Sequence, residues 1–402
     1  MSTTKPSFAK FCALEALHWA VMAAVQGLMS TYMSVSGMPD AVLSTVQACY
    51  LTAAFAGALF WGGRIDEAGS HRRFFVLGVA ASMVTCVATC LLIGNYLLCG
   101  VAYAAYGFMV APVATNLDAW VMDSFPERAD AAGRARSFAT GGYALCMLLY
   151  GQLIKHLGYG VIWAAACVAV PPTIALALTQ PDAVRTGAAK QKREKVGPAQ
   201  VASLMRIPLY ALLVAVVFLN GFAISPLNYM RTVVLQNVGA DVSYIGFDSF
   251  VGCLAQLPFL VFSGYWLRFP KEKRLLAGIA LPFGYAVLTA FCHQPVTSTL
   301  AFMLNNMSFG ILYPSMREIT RESVPEELFN SASSLIDVCY GQLPGIISLL
   351  AAGPLLSVFG IRGLSFACAA TQAVTLAVLV AGMARLTAQQ AGRRRTLVAN
   401  RQ

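Results

Sequence analysis

Long apolar runs, separated by short polar ones, make up most of this chain. Twelve of them, at 9–34, 40–61, 74–94, 96–122, 135–156, 158–179, 207–235, 243–266, 275–294, 296–316, 329–352 and 363–384, are long enough for a spanning helix. Such a helix needs about 20 predominantly apolar residues. The pattern predicts an all-α membrane protein of twelve spans joined mostly by short loops. The first run carries Glu15 and His18 and has no small-residue cleavage site, so it reads as a span and not as a leader.

Composition agrees. Of 402 residues, 58% are hydrophobic and 11% charged, against about 25% charged in a soluble domain. Mean hydropathy is +0.65. The net charge of +10 would suit nucleic acid, but its distribution argues for topology. With twelve spans the loops alternate between two sides, and 25 of the 28 Lys and Arg fall on one side. The other side receives only Lys155, Arg231 and Arg362. Basic residues accumulate in cytoplasmic loops, so both termini are placed in the cytoplasm of a cell whose bacterial inner or plasma membrane the chain crosses. Nucleic acid is not an expected partner; the bilayer, with its anionic lipids, is. All eleven Cys fall inside the runs, without metal or disulfide spacing, and read as small packing residues.

One long polar segment, Pro181 to Arg206, divides the spans six and six. The expected organisation is an N-terminal six-helix bundle at 1–180, a cytoplasmic linker at 181–206, a second six-helix bundle at 207–388 and a basic tail at 389–402. The halves look like distant repeats. Gly62 to Arg72 and Gly264 to Arg274 share one spacing, 202 residues apart. Transporters built from two repeats hold their cargo near mid-membrane.

The loop after the second run contains Gly62, Asp66, Gly69, Arg72 and Arg73. Gly69 permits a tight turn, and Asp66 can accept from helix N-terminal amides or pair with an Arg. This cluster resembles the signature of the major facilitator superfamily, in which it serves as a conformational latch. Glu67 stands where that signature carries a base, and the second copy has Arg268 in place of the acid.

Ionisable groups inside a membrane are costly, by roughly 2.5–3.5 kcal/mol at a helix centre, and mark pathways or partners. Asp118 and Arg136 lie at similar depth on adjacent spans of one hairpin, with Thr140 and Tyr143 on the face of Arg136. A guanidinium fork beside a carboxylate suits a polyhydroxylated cargo. A salt bridge that only pins two helices, or a snorkelling arginine, is the alternative. The stretch from Ala111 to Cys146, with APVATNLDAWVM and then GRARSF and Gly142-Tyr143-Ala144-Leu145-Cys146, resembles the fourth and fifth helices of the oligosaccharide:proton symporters of that superfamily. The resemblance implies that Asp118 and Arg136 hydrogen-bond a sugar and that Tyr143 stacks on it. It also places Gln256 at a polar ligand position.

The second half departs from that pattern. Its tenth run offers Asn305, Asn306 and Ser308 but no carboxylate. Gly341-Gln342 stands where the family has Lys-Gln, and Cys253 where it has a glutamate. The proton relay of the family is therefore missing in recognisable form. Three acids could replace it: Asp337 in the eleventh run, Asp248 nearer the outer end of the eighth, and Glu15, two turns from the cytoplasm, which also reads as an interfacial acid. Asn228, sharing a face with Arg231, and the deeper Asn220 are further cavity candidates. His18 reads as a buried imidazole.

These readings favour a secondary active transporter of a sugar, glycoside or nucleoside-like solute, coupled to protons, working by alternating access as a monomer without cofactor or metal. The alternative is a proton-driven drug or metabolite exporter of the same fold. A non-transporting sensor is disfavoured by the lack of any sizeable soluble domain. No phosphate loop, GxSxG or nucleophile with a base supports an enzyme.

Overall fold

The computed structural model describes residues 6–127, 131–182, 198–325 and 328–399; most of the 181–206 linker lies outside them, as do the side chains of Asp66 and of the basic tail. The fold is helical throughout these residues. The first six helices are α1 (Phe8–Val35), α2 (Asp40–Ala68), α3 (His71–Leu91), α4 (Tyr96–Ser124), α5 (Ala131–Leu157) and α6 (Val161–Leu178). Then follow α7 (Pro198–Met205), α8 (Pro208–Tyr229), α9 (Arg231–Asn237), α10 (Val242–Val261), α11 (Ser263–Trp266), α12 (Lys271–Thr289) and α13 (Pro295–Ser323). The last are α14 (Phe329–Asp337), one π-helical turn (Val338–Gln342) and α15 (Leu343–Ala399).

Nine stretches among the described residues are long and apolar enough to cross a membrane. The ninth, Ala332–Gln389, is 58 residues long and kinks at Gly360, whose φ of 63° and ψ of −174° are non-helical. Helices α12 and α13 occupy the ninth and tenth predicted runs. Large apolar side chains such as Leu59, Leu91, Leu97, Leu145 and Val168 point outward, while Ser44, Gln47, Thr89 and Thr173 are buried. That is the arrangement lipid demands, since a polar group facing hydrocarbon has no partner.

The chain forms two compact units. The first comprises α1–α6 together with α9 and α10 as far as Cys253; the second comprises α7, α8 and the chain from Leu254 onward. In the first, α1 packs on α5 and α6, α2 on α4, and α3 on α4 and α6. In the second, α15 packs on α8 and α12, and α12 on α13.

Four boundaries differ from the sequence reading. Helix α2 continues through Gly62 and Gly63 to Ala68, so Gly62 and Asp66 sit on its last turns and not in a loop, and Ile65 is buried. Gly69 ends the helix in the left-handed conformation (φ 64°), and Ser70 caps α3 by accepting from the Arg73 amide. The seventh run is two helices, broken at Met230 (φ −95°, ψ 17°) one turn beyond Pro226. Helix α13 runs to Ser323, past the end of its apolar run, and so carries Arg317. Cys292 lies in the turn after α12, so not every cysteine is within a helix; all eleven are free.

Within the first unit, α9 and α10 are held to α1 and α5 by polar contacts. Thr31 and Thr232 hydroxyls meet at 3.0 Å, and Ser34 Oγ donates to Gln236 at 2.8 Å. A Cβ on Gly246 would come within 2.3 Å of the Met147 carbonyl, so this helix contact requires glycine. Lys155 Nζ lies 2.8 Å from Asp241, which also accepts from Ser243 Oγ and the Tyr244 amide at the start of α10. The Lys155 ammonium, with these two donors, holds the Asp241 carboxyl at about 2, below the ordinary 3.8. A depressed folded-state value means stability that is present above the ordinary carboxylate range and lost as pH falls toward 2. Both side chains are half-exposed, so solvent screens most of the pair. Asp241→Asn is expected to melt slightly below wild type at neutral pH and together with it near pH 2. A gap of equal size at both pH values would contradict the assignment.

Candidate functional site

The costliest groups to place in lipid come together in the first unit. Asp118 lies in the last turns of α4 and Arg136 in the second turn of α5. The short hairpin connection brings them to the same depth. Arg136 Nη1 donates to Asp118 Oδ2 at 3.0 Å, and the side chains remain 41% and 30% exposed, so the pair is open and not sealed. The Arg136 guanidinium stacks over the Trp19 indole, 4.6 Å from its centroid. Tyr143, two turns further along α5, meets Trp19 edge-on at 6.1 Å and 72°. Thr140 turns its hydroxyl to the Arg136 carbonyl at 3.5 Å.

Behind this pair sits Glu15. It is 0% exposed, and its carboxyl group stands beside that of Asp118. Asp118 and Arg136 are the charged side chains acting on it. Protein thus encloses Glu15 on all sides. His18 Nε2 and Trp19 Nε1, on the same face of α1, are buried with no hydrogen-bond partner among the described residues. Unsatisfied buried polar atoms are rare in native structures.

The other two acids named from sequence are not isolated. Asp248 is fully buried and gripped by Arg231, Nη2 to Oδ1 at 2.6 Å and Nε to Oδ2 at 3.0 Å. Asp337 is about half-exposed and accepts from Arg317 Nη2 at 2.9 and 2.7 Å. Asp337, a proton-coupling candidate in the sequence, is paired here because α13 extends far enough to bring Arg317 to it. In the second unit Asn305 Nδ2 donates to Asn228 Oδ1 at 3.1 Å. Asn220 Oδ1 accepts from Gln372 at 2.6 Å, and Asn306 is tied to the Phe302 carbonyl of its own helix at 3.1 Å. Gln256 is partly buried on α10. Asn228 and Arg231 do not share a face of one helix, because the chain breaks between them. In the latch cluster, Arg72 binds the turn after α6: its amide donates to Asp182 at 3.1 Å and its Nη1 to the Gln180 carbonyl at 3.2 Å.

A family model, that of the Major Facilitator Superfamily, matches residues 11–349. The chain belongs to that superfamily. It is thus a multi-pass membrane transporter and not an enzyme. An aspartate-to-alanine variant of the nucleoside transporter NupG is similar in structure, with a TM-score of 0.81 at 14% identity over 94% of this chain and 99% of the other. A D-xylose–proton symporter matches with a TM-score of 0.72 at 13% identity over 92% and 96%. An autoinhibited POT-family peptide transporter matches with 0.73 at 11% over 93% and 95%. At these identities the likeness concerns the fold. No curated protein sequence matches the chain.

Sequence reasoning passed over Trp19. The available signal was its place four residues after Glu15, on the same helical face.

Proposed function

We propose that this transporter carries a small polyhydroxylated solute by proton-coupled alternating access, through twelve spans with both termini in the cytoplasm. One observation carries the reading: a half-open arginine–carboxylate pair, walled by Trp19 and Tyr143, stands against a second, fully buried acid. The open pair offers planar donors and acceptors to vicinal hydroxyls, and the aromatic walls suit an apolar ring face. The nucleoside and D-xylose named for two structural neighbours both carry such hydroxyls, and one neighbour is named for its proton.

Glu15 is the proton carrier in this reading, in preference to Asp248 or Asp337, each of which is already held by an arginine. A second ionised carboxylate buried beside Asp118 is costly, so in this reading Glu15 is the acid that holds the proton. Losing its proton makes it a competitor of Asp118 for Arg136. One guanidinium shared by two acids links the proton to the cargo.

Glu15→Gln imitates the protonated acid permanently. In proteoliposomes it is expected to abolish uphill accumulation while leaving exchange of internal for external cargo within about threefold of wild type. Intact accumulation would remove Glu15 from the mechanism. The cargo itself is found by thermal-shift screening against sugars, nucleosides and organic acids. An exporter of cationic drugs would give no hit among the first two groups.

A further inference from the structure

The second unit carries an arginine–carboxylate pair of its own, in a place that matches the first. Asp118 stands six residues before the last residue of α4, Ser124, and Arg317 six before the last of α13, Ser323. Arg136 and Asp337 lie on the helices that follow, α5 and α14. Acid and base have changed places between the two helices. Like the first pair, the second is open: the side chains of Arg317 and Asp337 are 33% and 48% exposed. Folding gains little from so exposed a pair, and an acid inside an apolar run is costly. Stability therefore does not account for it.

The chain departs from regular helix to keep Asp337 in the open. Ser348, Leu349 and Ala352 form the buried face at the start of α15. Extended backward at about 3.6 residues per turn, that face would include residue 337. The π-helical turn intervenes, with the Leu343 amide donating to the Val338 carbonyl five residues earlier. Its one additional residue rotates α14 by about 100°, so Ile336 is buried and Asp337 is not. Such turns often mark functional sites. Beside the pair stands an aromatic wall. Arg317 lies over the Tyr313 ring, 5.2 Å from its centroid, and its Nη2 donates to the Tyr313 hydroxyl at 3.3 Å. Tyr313 is itself exposed and stacks on Phe309 at 5.4 Å, and Phe309 packs against Tyr340 of the π turn at 6.3 Å.

We propose that Arg317, Asp337 and Tyr313 form a solute-binding site in the second unit, which takes a neutral solute with adjacent hydroxyls and an apolar ring face. Hydroxyls both donate and accept, so two neighbouring ones can bridge the fork and the carboxylate while the pair stays balanced. An anion would displace Asp337 and a cation Arg317, and either would leave one charge of the pair unmatched. Tyr313 offers the ring a face, as Trp19 does in the first unit. The solute class rests on the reading given to Asp118 and Arg136; the existence of the site rests on the second unit alone.

Phenylglyoxal modifies exposed arginines, and peptide mass spectrometry reads Arg136 and Arg317 separately in one sample of the full chain in nanodiscs. The probes are D-xylose, methyl glucoside and uridine, with 2′,3′-dideoxyuridine as the control that lacks adjacent hydroxyls. At least one probe is expected to slow labelling of Arg317 about fivefold, the factor given by a ligand at about four times its dissociation constant. The control is expected to leave it unchanged. The protection is expected to vanish in Asp337→Asn and in Tyr313→Leu, either of which suffices if the other fails to fold. Labelling of Arg317 that no probe slows overturns the proposal, as does protection that survives both substitutions. The two readings fail separately. Protection at Arg317 without protection at Arg136 removes the first site and leaves this one, while the converse removes this one alone.

Discussion

Arg136→Ala is expected to reduce cargo affinity at least 30-fold while shifting the melting temperature hardly at all. The two effects separate because of exposure. The Arg136–Asp118 pair is open to solvent on the arginine side, and such pairs contribute about 0–1 kcal/mol to folding. Cargo that enters the site excludes that water. The hydrogen bonds it makes to a guanidinium are then charge-assisted, and losing them costs about 2 kcal/mol or more. Arg136→Lys should recover little of this loss. Lysine keeps the charge but gives up the planar fork, and with it the stacking on Trp19. Isothermal titration with the cargo identified by screening provides the affinity, and differential scanning fluorimetry the stability. A screening hit that binds Arg136→Ala as tightly as wild type would dispose of this site.

How far the sequence carried can be seen residue by residue. Asp118 and Arg136 were legible as a pair because one short connection joins α4 and α5 and because an ionisable group within an apolar run usually marks a pathway or a partner. Glu15 was visible as an intramembrane acid, but its burial was not, since depth along a helix says nothing about which neighbours close over it. Arg317 was counted as a loop charge because apolarity ends at 316. The helix itself does not end there, and one more turn delivers the guanidinium to Asp337. Hydropathy locates the membrane, while helix ends obey capping. Most of the misplaced polar partners sit in the turn or two between these boundaries.

The largest expected loss of stability follows from a pair the sequence placed at a break. Arg231 was grouped with Asn228 on one continuous helix, and Asp248 was read as a proton carrier. The kink at Met230 turns Arg231 onto α10 instead, where its side chain is 10% exposed and that of Asp248 1%. Two hydrogen bonds join them, at 2.6 and 3.0 Å. Removing one member strands a charge in a medium that cannot solvate it, at about 3–5 kcal/mol. Replacing both with apolar side chains of similar volume removes the desolvation cost along with the attraction and is often neutral. Arg231→Met alone is therefore expected to abolish folded protein in detergent extracts. Asp248→Leu alone should do nearly as much harm, and the double variant should restore a monodisperse species. Asp248→Asn, if Asp248 carried the coupled proton, would fold and lose only uphill transport. The buried pair predicts instead that it is destabilised along with the single apolar variants. Size-exclusion profiles of the four variants decide between a structural bridge and a proton site: a double variant as unstable as the singles, or a stable Asp248→Asn that cannot accumulate cargo, would return Asp248 to the coupling mechanism.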